Sequence, residues 1–358
     1  GDVGSGKTVV AAFAAIRAAE NGTQTAIMAP TEILAEQHYE TFSSWLSPLG
    51  IRVGLLTGRL AAAERRSRLK AIADGDDLVI IGTHAIFQRD VVFRDLGLTI
   101  VDEQHRFGVH QRMSLRNKGR LPHQLVMTAT PIPRTLSMTL YADMELSVID
   151  EMPPGRAPII TSIKTNARRD EVVEGIGQGV TAGQQAFWIC AAIEESADSE
   201  IKAAETVYKE LKEKLPHVTV GLIHGRMKAF EKSATMSQFK SGEIGLLVST
   251  TVVEVGVDVP NATQMVIDDP DRLGLAQLHQ LRGRIGRGNF PSHCTLLYEA
   301  PLTELAKSRL NVMRETNDGF LIAEKDLELR GPGDIMGTRQ TGERQFRVSD
   351  LSTDISLF

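Results

Sequence analysis

The sequence has little cysteine and no long apolar run. Its 358 residues include only two cysteines, Cys190 and Cys294, which are far apart and lack the spacing of metal ligands. This pattern gives no disulfide framework and favours a reducing compartment, so we expect a cytoplasmic protein. No apolar run approaches the ~20 residues that a membrane-spanning helix needs, and we therefore expect no membrane partner.

The sequence also lacks an excess of positive charge. Lys and Arg number 40 against 45 Asp and Glu, which gives a formal net charge of -5. Overall charge therefore does not indicate nucleic-acid binding, and any such binding has to come from local patches. The hydrophobic fraction of 42% and the charged fraction of 24% are ordinary for a globular protein. The length predicts two or three domains.

The stretch Gly1–Thr8 matches the phosphate-binding loop pattern, in which two glycines precede Lys and Ser/Thr. Gly4 and Gly6 allow positive φ angles, so that successive backbone N–H groups can surround a polyphosphate. Lys7 supplies a positive charge to the β- and γ-phosphates, and Thr8 supplies a hydroxyl ligand for Mg²⁺. A helix from Thr8 to about Glu20 directs its positive dipole end at the phosphates. We predict that ATP binds Gly4, Ser5, Gly6, Lys7 and Thr8.

The strand that should lead into this loop is not in the sequence, because nothing precedes Gly1. We expect the chain to be a fragment that begins inside the motif.

Apolar β-rich runs alternate with amphipathic helical patterns along two regions, which predicts parallel α/β sheets. The first region has candidate strands at Thr25–Ala29, Val53–Leu56, Leu78–Ile81, Leu98–Val101, Leu125–Thr128 and Leu146–Ile149. The second has candidates at Ile159–Ile163, Ala186–Cys190, Val218–Leu222, Ile244–Val248, Gln264–Ile267 and Thr295–Tyr298.

A proline-rich linker separates the two regions, and a helical hairpin follows them. Leu302, Leu305, Leu310 and Met313 have the spacing of one helix face, and Asn317–Gly319 breaks the pattern before a second helix. The predicted divisions are residues 1–152, a linker at 153–160, residues 161–300, and a hairpin and C-terminal segment at 301–358.

Two carboxylates follow the apolar run Leu98–Val101. At the carboxyl edge of a parallel sheet, Asp102 would hold Mg²⁺ and Glu103 would polarise the attacking water as general base. A solvated acidic turn is the alternative, and it would be favoured if no phosphate-binding loop preceded the pair.

The stretch Gln280–Arg287 reads Q-x-x-G-R-x-G-R. On a helix, Gln280, Arg284 and Arg287 would share one face, while Leu278, Leu281 and Ile285 would lie roughly opposite. Arginines in this position could stabilise charge on a transferring γ-phosphoryl group. The alternative is an exposed basic turn.

These three motifs, in this order, resemble superfamily 2 helicases. The resemblance continues through Ala29–Glu32, Thr128–Thr130 and Thr250–Asp258. More narrowly, the chain is similar to the bacterial RecG family of ATP-dependent DNA helicases. That similarity rests on Asp102–Val109, Thr130–Leu136, Leu329–Asp334 and Gly337–Gly342, and it covers essentially the whole chain.

The resemblance implies an α/β fold with two tandem RecA-like lobes, which are parallel sheets flanked by helices, plus a C-terminal helical hairpin. It implies ATP and Mg²⁺ as cofactors, with ATP bound between the lobes. Further residues carried over are Gly256 and Asp258 for nucleotide, His105, Thr128 and Thr130 for coupling, and Thr31, Thr83, His84, Arg226 and Thr250 for DNA. Arg309, Arg330 and Gln340 are the candidates for translocation, although solvated arginines on an ordinary helix pair are the alternative. A metal-ligand role for His105 is disfavoured, because no cysteine lies nearby to complete a zinc site.

The implied function is ATP-dependent translocation on branched and duplex DNA, such as stalled forks and Holliday junctions, in recombination and repair. Members of the family carry a DNA-binding wedge domain ahead of the motor, so we expect one N-terminal to this chain, and we expect a monomer. The transcription-repair coupling factor is the nearest alternative. An RNA-remodelling ATPase and a non-catalytic DNA-binding module are further alternatives, and the intact Lys7, Glu103 and Arg287 argue against the second.

Overall fold

The computed structural model describes residues 1–103, 118–119, 121–128, 145–153, 157–191, 197–251, 259–286, 288 and 290–330. They form two compact units, and each is built around a parallel sheet with helices packed on it. Strands β1–β5 lie in the first unit, and β6–β11 lie in the second with a final pair of helices. The predicted fold class of two tandem α/β units and a helical hairpin is confirmed.

The first sheet has the strand order β2-β3-β1-β4-β5, and every described pairing in it is parallel. Its strands are β1 (Gln24–Met28), β2 (Val53–Leu56), β3 (Val79–Gly82), β4 (Leu96–Asp102) and β5 (His123–Met127). The helices are α1 (Lys7–Glu20), α2 (Glu32–Leu46) and α3 (Ala62–Asp74), with short 3-10 turns at Ser47–Leu49 and His84–Phe87. Both β1 and β3 are buried throughout, as expected for strands covered on both faces.

Small side chains let α1 lie close to the sheet. Ala11, Ala12 and Ala15 belong to the same apolar core as Ile27 of β1 and Ile100 of β4. Only this face of α1 is buried. The other face exposes Val9, Val10 and Phe13.

The strand predicted at Leu146–Ile149 is wrong. Residues 145–150 form neither helix nor strand, and the Leu146 side chain is 56% exposed. A strand exists only through hydrogen bonds to a neighbouring strand. The described residues provide no such neighbour here, although Ile149 lies against Gly1.

The second sheet has the order β6-β11-β10-β7-β9-β8, and its described pairings are also parallel. Its strands are β6 (Ile159–Thr165), β7 (Gln185–Cys190), β8 (Val220–Ile223), β9 (Leu246–Thr250), β10 (Ala262–Asp268) and β11 (Ser292–Tyr298). The helices are α4 (Arg169–Thr181), α5 (Ala197–Lys214), α6 (Ala229–Lys240) and α7 (Leu275–Arg282), followed by α8 (Glu304–Glu315) and α9 (Gly319–Arg330). The predicted strands therefore exist, with ends shifted by up to a few residues.

A buried polar network joins α4 to the carboxyl end of β10. The Asp268 carboxylate accepts hydrogen bonds from Arg169 at 3.0 and 3.1 Å and from Trp188 Nε1 at 2.8 Å. The Arg169 guanidinium also contacts Glu210 and lies 4.9 Å from the Trp188 ring centroid. Burial raises the pKa of Asp268 in spite of these partners. The network satisfies a charge that the core could not otherwise hold.

The predicted hairpin is present, and it begins where Thr303 caps α8 by accepting a hydrogen bond from the Ala306 N–H. Leu310 and Met313 are buried as expected, but Leu305 is 49% exposed and does not share their environment. Asp318 Oδ1 accepts a hydrogen bond from the Phe320 N–H at 2.8 Å and starts α9. None of the described helices is long and apolar enough to cross a membrane.

Both cysteines should be chemically inert in the folded protein. Cys190 and Cys294 are free and buried, and burial raises the pKa of Cys294 to about 12. Since the thiolate is the reactive form, we expect thiol labelling at pH 8 to be at least ~100-fold slower in native than in urea-unfolded protein. Stopped-flow labelling with a disulfide reagent measures this, and one rapidly labelled thiol in native protein would contradict it.

Candidate active site

The loop before α1 has the backbone that a phosphate-binding loop requires. Gly4 and Gly6 have φ angles of 74° and 90°, as the motif predicts. Gly6 is the N-cap residue of α1, and the space around its Cα is open. The first N–H groups of a helix have no intrahelical partner, so the first turn of α1 can donate to an anion.

The side chains of the loop also fit a polyphosphate. Lys7 Nζ donates to the carbonyl oxygens of Gly1 at 2.9 Å and Asp2 at 2.6 Å, which holds the ammonium beside the loop. The Ser5 hydroxyl is buried, and no described residue hydrogen-bonds it. Thr8 is partly exposed in the first turn of α1. The open first turn of α1, the positioned Lys7 ammonium and the available Ser5 hydroxyl together fit ATP with its Mg²⁺.

The acidic pair lies at the end of β4. Asp102 is the last residue of the strand, and Glu103 has a φ of 52°, in the left-handed region that costs a non-glycine residue about 1 kcal/mol. Helix α1 packs on β1 and β4 and ends just before β1 begins, so its first turn lies toward the carboxyl edge at which the parallel strand β4 ends. The acidic pair and the loop are therefore neighbours within the first unit.

The register of the first sheet brings several predicted residues to one edge. Met28 of β1 pairs with Gly82 of β3 and with Val101 of β4, and Asp102 pairs with Met127 of β5. Since these strands are parallel, the segments after them emerge side by side. The predicted residues on these segments are Thr31, Thr83, His84, Asp102, Glu103 and Thr128.

These edge residues differ in how their side chains are used. Thr31 caps α2 by accepting a hydrogen bond from the Leu34 N–H, so its hydroxyl oxygen is already an acceptor. The Thr83 hydroxyl is buried without a hydrogen-bond partner among the described residues, and His84 is exposed. A Cβ on Gly82 would clash with the Leu56 carbonyl, so the turn into Thr83 requires glycine.

In the second unit, Arg226 and Thr250 lie at the carboxyl ends of two neighbouring strands. Ile223 of β8 pairs with Ser249 of β9, so the turn that carries Arg226 lies near Thr250. Arg226 is exposed, and Thr250 is fully buried at the end of β9. Lys232 holds the turn by donating to the Gly225 carbonyl at 2.7 Å.

The helix predicted through Gln280–Arg287 ends early. Helix α7 stops at Arg282, Gly283 donates to the His279 carbonyl, and Gly286 has a φ of 70°. The predicted helical face shared by Gln280 and Arg284 is therefore wrong, and Arg287 lies outside the described residues. After α7 the chain forms tighter turns, in which the Arg284 and Ile285 N–H groups donate to the carbonyls three residues before them, and Gly286 then takes a left-handed conformation that glycine tolerates. The apolar side is as expected, since Leu278, Leu281 and Ile285 are buried.

Arg282 is a feature of this motif that the sequence reasoning missed. It is only 1% exposed, and its guanidinium donates to Thr161 Oγ1 at 3.1 Å and to the Met313 carbonyl at 2.6 Å. A third contact joins it to His279 Nδ1 at 3.2 Å. Arg282 thus fastens α7 to β6 and to the last turn of α8. The spacing of residues in the motif does not reveal that Arg282 is buried among hydrogen-bond partners.

Arg309, a predicted translocation residue, also makes internal contacts. Its guanidinium donates to the carbonyls of Asp271 at 2.8 Å and Leu273 at 3.2 Å, which fixes α8 to the 3-10 turn Pro270–Arg272. Arg330 is the last residue of α9, and its side chain is outside the description. The predicted residues His105, Thr130, Gly256, Asp258, Arg287 and Gln340 also lie outside the described residues.

Three family models match successive parts of the chain. The DEAD/DEAH box helicase model matches residues 1–139, and the helicase conserved C-terminal domain model matches residues 170–289. The model for ATP-dependent DNA helicase RecG, domain 3, C-terminal, matches residues 316–358. The first two models define the class of the chain, a superfamily 2 helicase with two RecA-like lobes.

Individual relatives narrow this class. ATP-dependent DNA helicase RecG of Escherichia coli (strain K12) is 58% identical over 362 residues, which cover 100% of this chain and 52% of that protein. A structure of RecG bound to a three-way DNA junction is 45% identical with a TM-score of 0.80, and the match covers 99% of this chain and 46% of that one. The chain belongs to the RecG family, and it spans about half the length of the curated relatives it matches.

A more distant structure shows the fold alone. S. cerevisiae Dbp5 bound to RNA and ADP BeF3 is 18% identical with a TM-score of 0.65, covering 92% of this chain and 82% of that one.

Removing the Arg282 contacts should destabilise the second unit. We expect Arg282→Met to lower its free energy of unfolding by about 2–4 kcal/mol, because buried acceptors lose a charged donor. The exposed Arg314→Met on α8 is the matched control. The chain has two tryptophans, so Trp45→Phe leaves Trp188 as a fluorescent reporter of this unit during urea unfolding. Equal midpoints for the two variants would contradict the prediction.

Proposed function

We propose that the chain is the motor of an ATP-dependent DNA helicase or translocase that acts on branched and duplex DNA in recombination and repair. The observation that carries this proposal is the positive-φ loop with its fixed Lys7, beside the Asp102–Glu103 pair in the same unit. The related RecG, which was solved on a three-way DNA junction, supports the choice of DNA and of branched substrates.

The nucleotide-binding roles follow from the geometry of the first unit. Gly4, Ser5, Gly6 and Lys7 would bind the phosphates, and Thr8 with Asp102 would hold Mg²⁺. Bound Mg²⁺ supplies charge neutralisation on the transferring phosphoryl group. Glu103 would accept a proton from the attacking water as general base. Its strained backbone is consistent with a side chain held in place for chemistry.

The remaining site residues stay proposals. Gln280, Arg284 and Arg287 are the proposed catalytic residues of the second unit, with Gly256 and Asp258 as nucleotide contacts. His105, Thr128 and Thr130 are proposed to couple hydrolysis to movement. Thr31, Thr83, His84, Arg226 and Thr250 are proposed DNA contacts, and hydroxyl and backbone contacts of this kind position phosphates without reading sequence.

The contacts of Arg309 refine its proposed role. Because both of its described acceptors are backbone carbonyls of the protein, Arg309 would act in translocation by fixing α8 against the second sheet rather than by touching DNA. Arg330 and Gln340 remain candidates for the same function.

Organisation and location are further proposals. We retain divisions at residues 1–152, 153–160, 161–300 and 301–358, and we propose a monomer. Two free, buried cysteines support a cytoplasmic location. A DNA-binding wedge domain ahead of this chain remains a prediction.

Loss of the Lys7 ammonium should abolish turnover. We expect Lys7→Ala to lower DNA-stimulated kcat for ATP by about 100-fold or more, because the charge on the β- and γ-phosphates is lost. Lys70→Ala, on the exposed side of α3, is the matched control and should keep normal turnover. A coupled assay of phosphate release measures both variants. Unchanged turnover in Lys7→Ala would contradict the assignment of the site.

The same assay tests the substrate. Hydrolysis is measured without nucleic acid and with linear duplex, forked DNA and RNA, both for this chain and for a chimera that adds the N-terminal part of the Escherichia coli relative. Stimulation by forks above linear duplex supports the proposal. Equal stimulation by linear duplex favours the coupling-factor alternative, and stimulation by RNA alone contradicts the choice of DNA. No turnover in either folded protein contradicts the motor and favours a non-catalytic DNA-binding module.

A further inference from the structure

A histidine that no motif assigns lies against the proposed metal-binding carboxylate. His38 is on α2, and its Nε2 is 3.0 Å from Oδ2 of Asp102. Both side chains are largely enclosed, with 11% and 14% of their surfaces exposed. The two residues are 64 positions apart in sequence, so only the fold brings them together.

Packing fixes the imidazole of His38. It follows Leu34 by one helical turn and precedes Phe42 by another, so it belongs to the buried face of α2. The Phe42 ring meets the imidazole edge-on, with centroids 6.2 Å apart and an interplanar angle of 88°. Leu34 and Phe42 belong to the apolar core beneath the first sheet. The packing of α2 therefore holds the imidazole ring in place independently of its contact with Asp102.

The contact constrains the orientation of the carboxylate. An ionised carboxylate only accepts hydrogen bonds, so the bond requires Nε2 of His38 to carry the hydrogen. With Oδ2 engaged, the carboxylate cannot rotate freely, and the lone pairs of Oδ1 remain for a cation or for a water on that cation. Hydrogen bonds of this kind orient carboxylates that hold metals.

We propose that His38 is a positioning residue that orients Asp102 toward the nucleotide-bound divalent cation. This inference rests on the proposed function, since it needs Asp102 to serve the metal. His38 touches neither nucleotide nor DNA in this account, and it acts only through Asp102. A purely structural role would make His38 another member of the α2 face, equivalent to Phe42.

Three substitutions separate these roles. His38→Gln places an amide donor near the position of Nε2 and can remake the bond. His38→Leu fills similar space without a donor, and His38→Asn keeps polarity but is too short to reach Asp102. Leu46→Val weakens the same buried face of α2 two turns beyond His38, and it leaves the packing of the imidazole intact.

Direct metal binding is the readout. Mn²⁺ binding is measured by the loss of its free electron paramagnetic resonance signal, with a non-hydrolysable ATP analogue, for this chain and for the chimera. We expect His38→Leu and His38→Asn to raise the Kd for Mn²⁺ about 10–100-fold, and His38→Gln to stay within about threefold of wild type. Leu46→Val should lower Tm without changing that Kd.

Each other outcome has a defined meaning. If His38→Leu is unfolded by circular dichroism, the comparison of His38→Gln with His38→Asn decides. Wild-type Mn²⁺ affinity in His38→Asn, or an equal loss in His38→Gln, overturns the positioning role. Asp102→Ala separates this inference from the proposed function. If Asp102→Ala binds Mn²⁺ normally, the metal assignment itself fails, whereas a loss in Asp102→Ala without a loss in His38→Asn defeats only the role of His38.

Discussion

Parallel pairing of β1 with β3 on one side and β4 on the other is the constraint on which the first unit depends. It aligns Met28 with Gly82 and with Val101, so three segments that are distant in sequence leave the sheet together. Strand pairing therefore brings Thr31, Thr83 and Asp102 to one edge of the sheet. No direct contact between their loops is needed for this. The cost of this arrangement is complete burial of β1 and β3, and a glycine where β3 passes the Leu56 carbonyl.

Sequence patterns predicted the features that depend on local interactions. Buried strands such as β3 have continuous apolar runs, and the glycines at positions 4 and 6 have the positive φ angles that their motif requires. Patterns failed where an outcome depends on a neighbour. The apolar run at Leu146–Ile149 has no strand to pair with among the described residues, and the helix that contains Gln280 ends at Arg282 although the apolar spacing continues to Ile285.

The side-chain contacts of the site were the least predictable part. His38 reads as one more polar residue on an amphipathic helix, and its bond to Asp102 depends on how α2 packs on the sheet. In the sequence, Arg282 belongs to a basic motif. In the structure it is buried and donates hydrogen bonds to Thr161 and to the Met313 carbonyl, which lie on two other elements. Periodicity reports which face of a helix is buried. It does not report which buried polar group meets which partner.

The left-handed backbone of Glu103 bears on how this protein would respond to engineering for heat resistance. A glycine at position 103 would relieve about 1 kcal/mol of strain, so a screen that rewards only survival at high temperature would favour discarding the proposed general base. Selection for more heat-resistant variants of this chain would therefore need to reward turnover in every round, because one stabilising substitution lies at a residue on which the proposed chemistry depends.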